Sequence, residues 1–419
     1  MITVASNGGK PLSLFEGFGI ELEYMIVDRD SGNVLAVTDQ VLQREAGGIV
    51  SSIEEGEIGW SNELVLHVIE LKTNGPVPVL TGLPEKFQDD IRRINVHLSD
   101  LNGCLMPTAM HPWMDPDRET HLWPHENNEI YAAYNGIFDC RGHGWSNLQS
   151  MHINLPFAGD GEFFRLHTAI RTLLPVMPAL AASSPLMQWE LTGLMDTRLE
   201  TYRHNADRIP AITGLVVPEP IRSRDEYQRL ILQPMYAAIA PFDPEKILQE
   251  EWLNSRGAIA RFDRNAIEIR VLDMQETPGA DIAVASAIIS VLKALVQLHW
   301  SEPAAQGEMA TAPLAAILLD VIRDGDAAVI RSREYLDLFR FPENNCRAGE
   351  LWQYLLESVG DEELVNKGWR QTVDFILKEG CLARRLVRAV GPGGRRSHIR
   401  EARRVLCRCL AHGVLFEGI

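Results

Sequence analysis

The segment FGIELEYMIVD, residues 18–28, constrains this chain more than any other stretch. Side chains alternate faces along a strand, so Ile20, Leu22, Tyr24 and Ile26 share one side and Glu21, Glu23 and Met25 the other. Enclosing two carboxylates that close together is unfavourable unless a cation compensates them. The segment therefore predicts a strand whose polar face is either wetted or part of a cation site.

Three further strand-like segments repeat the pattern. One spans Glu63 and Glu70 in ELVLHVIE, a second is NLQSMHINL with Gln149 and His152, and a third is NAIEIRVLD. In the last, Ile267, Ile269 and Val271 share one face and Glu268 and Arg270 the other. A half-solvated antiparallel strand accounts for any one of these alone. Taken together they gather acids and an imidazole, the donors that hard divalent cations such as Mg2+ or Mn2+ take, with phosphate oxygens completing the shell. The set is rich in carboxylate and free of thiols, which favours Mg2+ over zinc.

Arginines add to this. Arg198 and Arg203 lie in MDTRLETYRHN, and Arg270 stands beside Glu268. Guanidinium groups near a metal cluster suit a phosphoryl group in transfer. The chain has no GxxxxGK[ST] loop and no kinase-type glycine loop, so ATP, if it is used, must be held by metals and arginines over a sheet.

The 419 residues are 46% hydrophobic, enough for a large core. A formal charge of −17, from 57 acidic and 40 basic side chains, argues against general affinity for nucleic acid or anionic membranes. The six cysteines are too sparse for a disulfide scaffold and read as reduced thiols of a cytoplasmic protein. The first fifteen residues lack the charged and apolar regions of a signal peptide. Of the two longest uncharged runs, 172–189 is broken by prolines and 282–292 is too short to span a bilayer, so the chain reads as soluble.

Strands are expected at 18–28, 34–37 after the Gly32-Asn33 turn, 64–71, 148–155 and 258–273. Helices are expected at 84–102, 163–180, 225–239 and 281–300, with a loop at 106–116 around His111. Texture changes after about residue 301, which divides the chain into a catalytic part, 1–300, and a helical, increasingly basic part, 301–419, packed on it. There is no regular β-α-β spacing and no glycine-rich turn. The fold class is α+β with a mainly antiparallel sheet. The arginine run from residue 382 to 408 reads as a solvated helix face, with pairing to the acidic body as the runner-up.

The ordered motifs FGIELEYMIVD, ELVLHVIELKTN, AMHP, NEIY, LQSMHINL, AASSPLMQ, DTR, YR and AIEIRVLD resemble those of the glutamate–cysteine ligase type 2 family, carboxylate–amine ligases with a glutamine-synthetase-like fold. The resemblance implies a concave antiparallel sheet carrying Mg2+ ions, with helices outside. On that face ATP activates the glutamate γ-carboxylate as an acyl phosphate, and an amine such as cysteine attacks it. It implies Glu21, Glu23, Glu63, Glu70, His152 and Glu268 as metal ligands and Arg270 and Arg198 as catalytic phosphate and carboxylate binders. Arg203, Gln149 and His111 fall to the substrate side. A homo-oligomer is expected. Three departures touch substrate-side motifs: Ser150 stands where many relatives have a histidine, Ile130 where they have an arginine, and Ala109-Met110 where they have Gly-Thr. The acceptor amine need not then be cysteine. The alternative is a non-catalytic or differently acting metal- and nucleotide-binding homologue of the same fold.

Overall fold

The computed structural model describes residues 11–360 and 367–419, so most of the N-terminal segment read for a signal peptide lies outside it. An eight-stranded sheet organises the chain. Its strands are β1 (Gly19–Asp28), β2 (Ser52–Ile53), β3 (Ile58–Asn62), β4 (Val68–Thr73), β5 (Gly103–Met106), β6 (Ser150–Pro156), β7 (Ala258–Arg261) and β8 (Ala266–Asp273). The spatial order is β2–β3–β4–β1–β6–β8–β7, antiparallel throughout, and β5 shares one edge of β1 with β6. The α+β expectation holds.

The helices that matter for the site are α1 (Leu83–Ser99), α2 (Asn128–Phe138), α3 (His143–Ser146), α4 (Thr197–Tyr202), α5 (Pro278–Val296) and α6 (Arg396–His412). One sheet face is apolar: Ile20, Leu22, Tyr24, Ile69, Leu71, Met151, Ile153, Ile267 and Ile269 are fully enclosed. They join one core cluster with Phe87, Ile91, Ile94 and Leu98 of α1 and most of α5. Helix α5 starts where Pro278 occupies the first turn and the Thr277 hydroxyl accepts from the Ala280 amide. It is long and apolar enough to cross a membrane, but 89% of it is buried inside the chain, so its apolarity is that of a core helix. The same cluster runs from Phe18 to Leu410, so helices beyond residue 301 share the core of the sheet.

Several sequence expectations are corrected. Residues 34–37 form no strand; Val34 makes an isolated bridge to Val27. The run 64–71 is not one strand, because β3 ends at Asn62 and β4 starts at Val68, with Glu63 in the loop between. The helix expected over 163–180 spans Gly159–Leu173 and gives way to a 3₁₀ turn and a short helix at Pro175 and Pro178, which lack the amide an α-helix needs. A helix does cover 225–239, but it widens into a π-turn over Gln228–Leu232 just before Pro234, whose ring would clash with the preceding turn. The C-terminal arginines are not all solvated. Arg385 forms an enclosed ion pair with Glu276 at 2.6 Å, and Arg384 pairs with Asp326 at 2.7 Å.

Candidate active site

The other sheet face carries the charge, and strand register places it. Glu21 lies opposite His152 on one side and Lys72 on the other, Glu23 lies opposite Glu70, and Glu70 lies opposite Ser61. Glu268 lies opposite Asn154, one strand further. This face floors a cavity of about 350 Å³ whose far wall comes from α2, α3, α4 and the turn at Trp252. Every residue of the implied metal set borders it, as do Arg198 and Arg270.

Two groups of donor atoms converge there, each within 4.8 Å: Glu21, Glu70 and His152, and Glu23, Glu63 and Glu70. Glu70 belongs to both. Glu268 lies just outside, with Oε1 3.9 Å from His152 Nδ1 and engaged by Arg270 Nη2 at 2.5 Å.

Electrostatics explain what the cluster lacks. Burial, then the Glu23 and Glu70 charges, holds the Glu63 carboxyl well above the usual carboxylate range, and burial likewise raises Glu23. Burial also opposes ionisation of Glu70 and Glu268, but local cations win. Lys72 Nζ, 2.7 Å from Glu70, brings that carboxyl to about 2, and Arg270, with His152 and Arg261, brings Glu268 to about 2. Burial would depress the His152 imidazole, yet its bond to Glu21 at 2.9 Å and the surrounding carboxylates raise it to about 9. His152 Nε2 donates to the Ser150 hydroxyl, which donates on to Glu23. Ser150 thus fixes Glu23 through both its hydroxyl and its amide. These oxygen donors, with burial still holding the Glu23 and Glu63 carboxyls above their usual range, fit hard divalent cations, and a cation bound at His152 would displace its proton.

Arg198 is enclosed but borders the cavity. Its Nε donates to Asp273 Oδ1 at 2.5 Å, while Asp273 Oδ2 accepts from the Ser183 amide and Ser184 hydroxyl at 2.8 and 2.7 Å. The motifs AASSP, DTR and VLD therefore meet at one carboxylate. Strict alternation would turn Asp273 to the apolar side with Val271. A β-bulge between Ile269 and Leu272 instead sets Asp273 opposite Ser150, on the charged side.

The three substrate-side residues are not brought to the cavity. His111 is fully enclosed, its Nε2 donates to the Gly32 carbonyl at 2.8 Å and its Nδ1 accepts from the Trp113 amide at 3.2 Å. Burial holds this imidazole neutral, its pKa lowered to about 3, so it pins a loop and faces no ligand. Gln149 is also fully enclosed away from the cavity, and among the described residues its side-chain amide has no protein partner. Arg203 pairs with Glu200 one turn away at 2.7 Å and does not border the cavity. Sequence reasoning missed Lys72, which shares a strand face with Glu70 in the ELK triplet and was open to the alternation argument, and Asp273, which the bulge conceals. It also missed the wall residues Tyr131, Tyr134, Trp145, Tyr202 and Trp252.

A profile of glutamate–cysteine ligase family 2 (GCS2) matches residues 17–328, a span that includes every residue of this cavity. The chain belongs to glutamate–cysteine ligase family 2. An uncharacterized protein of Archaeoglobus fulgidus is 36% identical over 277 residues, 66% of this chain and 74% of that protein. A Bradyrhizobium diazoefficiens protein named provisionally as a glutamate–cysteine ligase 2 is 27% identical over 240 residues, 55% of this chain but only 50% of its own length. The glutamate–cysteine ligase of Francisella tularensis, solved in complex with AMP, superposes with a TM-score of 0.58 at 12% identity, covering 96% of this chain and 90% of that one. A bifunctional glutathione synthetase of Pasteurella multocida superposes at 0.61 and 14% identity, covering 95% of this chain and 53% of that one. At such identities the likeness is one of fold, and it agrees with the sheet-and-helix arrangement expected for family members.

Proposed function

We propose that this family member is an ATP-dependent carboxylate–amine ligase that activates the glutamate γ-carboxylate as an acyl phosphate and transfers the γ-glutamyl group to an amine, cysteine or another. The observation that carries the reading is the meeting of two oxygen-donor triads and two arginines on one recessed face of the sheet. Glu21, Glu23, Glu63, Glu70 and His152 would hold divalent cations, with Glu268 beside them; Mg2+ there would screen the ATP phosphates from the carboxylates.

The chain's own groups supply the rest. Arg270 and Arg198 border the cavity as fixed cations, suited to the charge on a phosphoryl group as it leaves ATP for the substrate carboxylate. Glu268 and Asp273 hold these guanidinium groups in place before substrate arrives. The wall of α2, α3 and α4 stands opposite the charged face across the cavity. Attack by the amine expels phosphate and needs no covalent enzyme nucleophile. The six free cysteines suit a cytoplasmic setting.

Phosphate release from Mg·ATP tests this, with glutamate alone and with glutamate plus single amines, and with mass spectrometry of the amide. Amine-dependent release and a γ-glutamyl product are expected. Absence of glutamate-dependent turnover with every amine would overturn the glutamate assignment.

A further inference from the structure

The wall facing the charged sheet is built from aromatic rings that the chemistry above does not use. Tyr131 and Tyr134 come from α2, Trp145 from α3, Tyr202 from α4, and Trp252 from the turn Glu251–Leu253. Four separate segments thus converge on one surface. The Tyr134 ring lies 5.2 Å from Trp145 and 6.0 Å from Trp252, and Phe138 stacks behind Trp145 at 5.5 Å. All five side chains are half-buried, with part of each open to the cavity.

Leaving that much ring surface against water is unfavourable by about 25 cal/mol for each Å². A concave apolar wall opposite a few convergent charges is the usual form of a site for a ligand with an apolar body and a polar reacting end. The side chain of cysteine, one methylene and a thiol, is too small to cover it.

Position selects between the nucleotide base and the acceptor. Tyr134 and Tyr202 line the same cavity as Arg270, the group assigned to the phosphoryl in transfer. The ribose and three phosphates of ATP keep its base away from that phosphorus, whereas the nucleophile must reach the acyl carbon, which is joined to it through a single oxygen. Tyrosine and tryptophan faces also attract the ammonium form in which an amine arrives.

We infer that the aromatic wall is the acceptor subsite, and that the amine this protein couples carries a bulky apolar or aromatic body. The inference rests on the ligase reading and names the acceptor class within it.

The test compares ethylamine, cysteine and 2-phenylethylamine as acceptors with glutamate and Mg·ATP. The expected kcat/KM for 2-phenylethylamine is at least tenfold above the other two. Trp145→Ala and Trp252→Ala should each lower it at least tenfold while KM for ATP moves less than twofold, and Trp252→Phe, which keeps a ring, should retain most of it. Equal rates for ethylamine and 2-phenylethylamine would overturn the inference and leave the ligase reading intact. A raised KM for ATP with unchanged amine discrimination would assign the wall to the base and also overturn it. Calorimetric titration of 2-phenylethylamine into the Mg·ADP complex gives a readout independent of turnover. Saturable binding that Trp145→Ala abolishes supports the subsite, and absence of binding to the unsubstituted protein overturns it.

Discussion

Arg198 and Asp273 form an enclosed pair, Nε to Oδ1 at 2.5 Å, with the carboxylate also held by Ser183 and Ser184. Their side chains are 1% and 0% exposed, so the guanidinium has almost no freedom to leave the edge of the cavity. Asp273→Asn keeps the shape and removes the charge. Misplacing Arg198 should lower kcat by about 100-fold. Breaking an enclosed pair should also cost about 3 kcal/mol of stability. Steady-state kinetics with thermal unfolding checks both, and an unchanged kcat would remove Asp273 from any positioning role.

Glu268→Gln separates the arginine-bound carboxylate from the triads. The glutamine keeps an acceptor for Arg270 Nη2 but gives up the charge that faces His152. ATP turnover should fall by about 100-fold or more, as when a group oriented toward transition-state charge is lost. Mn2+ binding followed by electron paramagnetic resonance should weaken less than in Glu70→Gln, because Glu70 belongs to both triads. Full turnover in Glu268→Gln would show that this carboxylate has no part in the reaction.

Lys72 occupies a place inside the cluster, 2.7 Å from Glu70 and 2.8 Å from the Ser61 hydroxyl. Lys72→Met leaves Glu70 without its cation, a loss of about 3 kcal/mol for a pair this enclosed. The variant should therefore melt earlier than the unsubstituted protein in EDTA, and excess Mg2+ should recover more stability for it than for the parent. Equal Mg2+ responses would mean that Glu70 does not turn toward a cation once Lys72 is gone.

Acid should destabilise the fold through histidines outside the cluster. Burial lowers His67 to about 4 and His111 and His167 to about 3. Each has a folded pKa below its unfolded value near 6.5, so the unfolded chain binds more protons as pH falls. Their contribution is complete above about pH 6.5 and is lost toward pH 4 and below, with about 2 kcal/mol per histidine already gone at pH 5. His167 packs against Phe163 and Tyr227, and among the described residues neither ring nitrogen has a hydrogen-bond partner. In urea unfolding at pH 7 and pH 5, His167→Phe should reduce the pH-dependent loss by about that amount. An unchanged loss would mean that His167 is not held neutral in the fold.

The charged face was legible because it obeys alternation: Glu21, Glu23, Glu70, His152 and Glu268 reach one side of the sheet by strand parity, and the structure brings them together. Parity fails where the ladder gains a residue, which is why Asp273 was hidden. It also says nothing about contacts across the cavity, so the aromatic wall, assembled from four distant segments, left no local signal. His111 shows the opposite error. A histidine beside a proline in a loop has the look of a ligand-facing residue, yet both its nitrogens bind backbone. The helix expected over 163–180 ended early where Pro175 and Pro178 removed amides, whereas Pro234 widened the helix over 225–239 without moving its limits.

The shared core has a consequence for any attempt to shorten the protein. The family match stops at residue 328, but Leu351, Trp352, Leu355, Leu356 and Leu410 belong to the same enclosed cluster as the strands beneath the site. A fragment ending near 328 would keep every cavity residue and still present a raw apolar scar to solvent. Such a piece should self-associate before it could bind ATP, and the full chain should melt in one cooperative step, because its last helices are part of the body that holds the sheet.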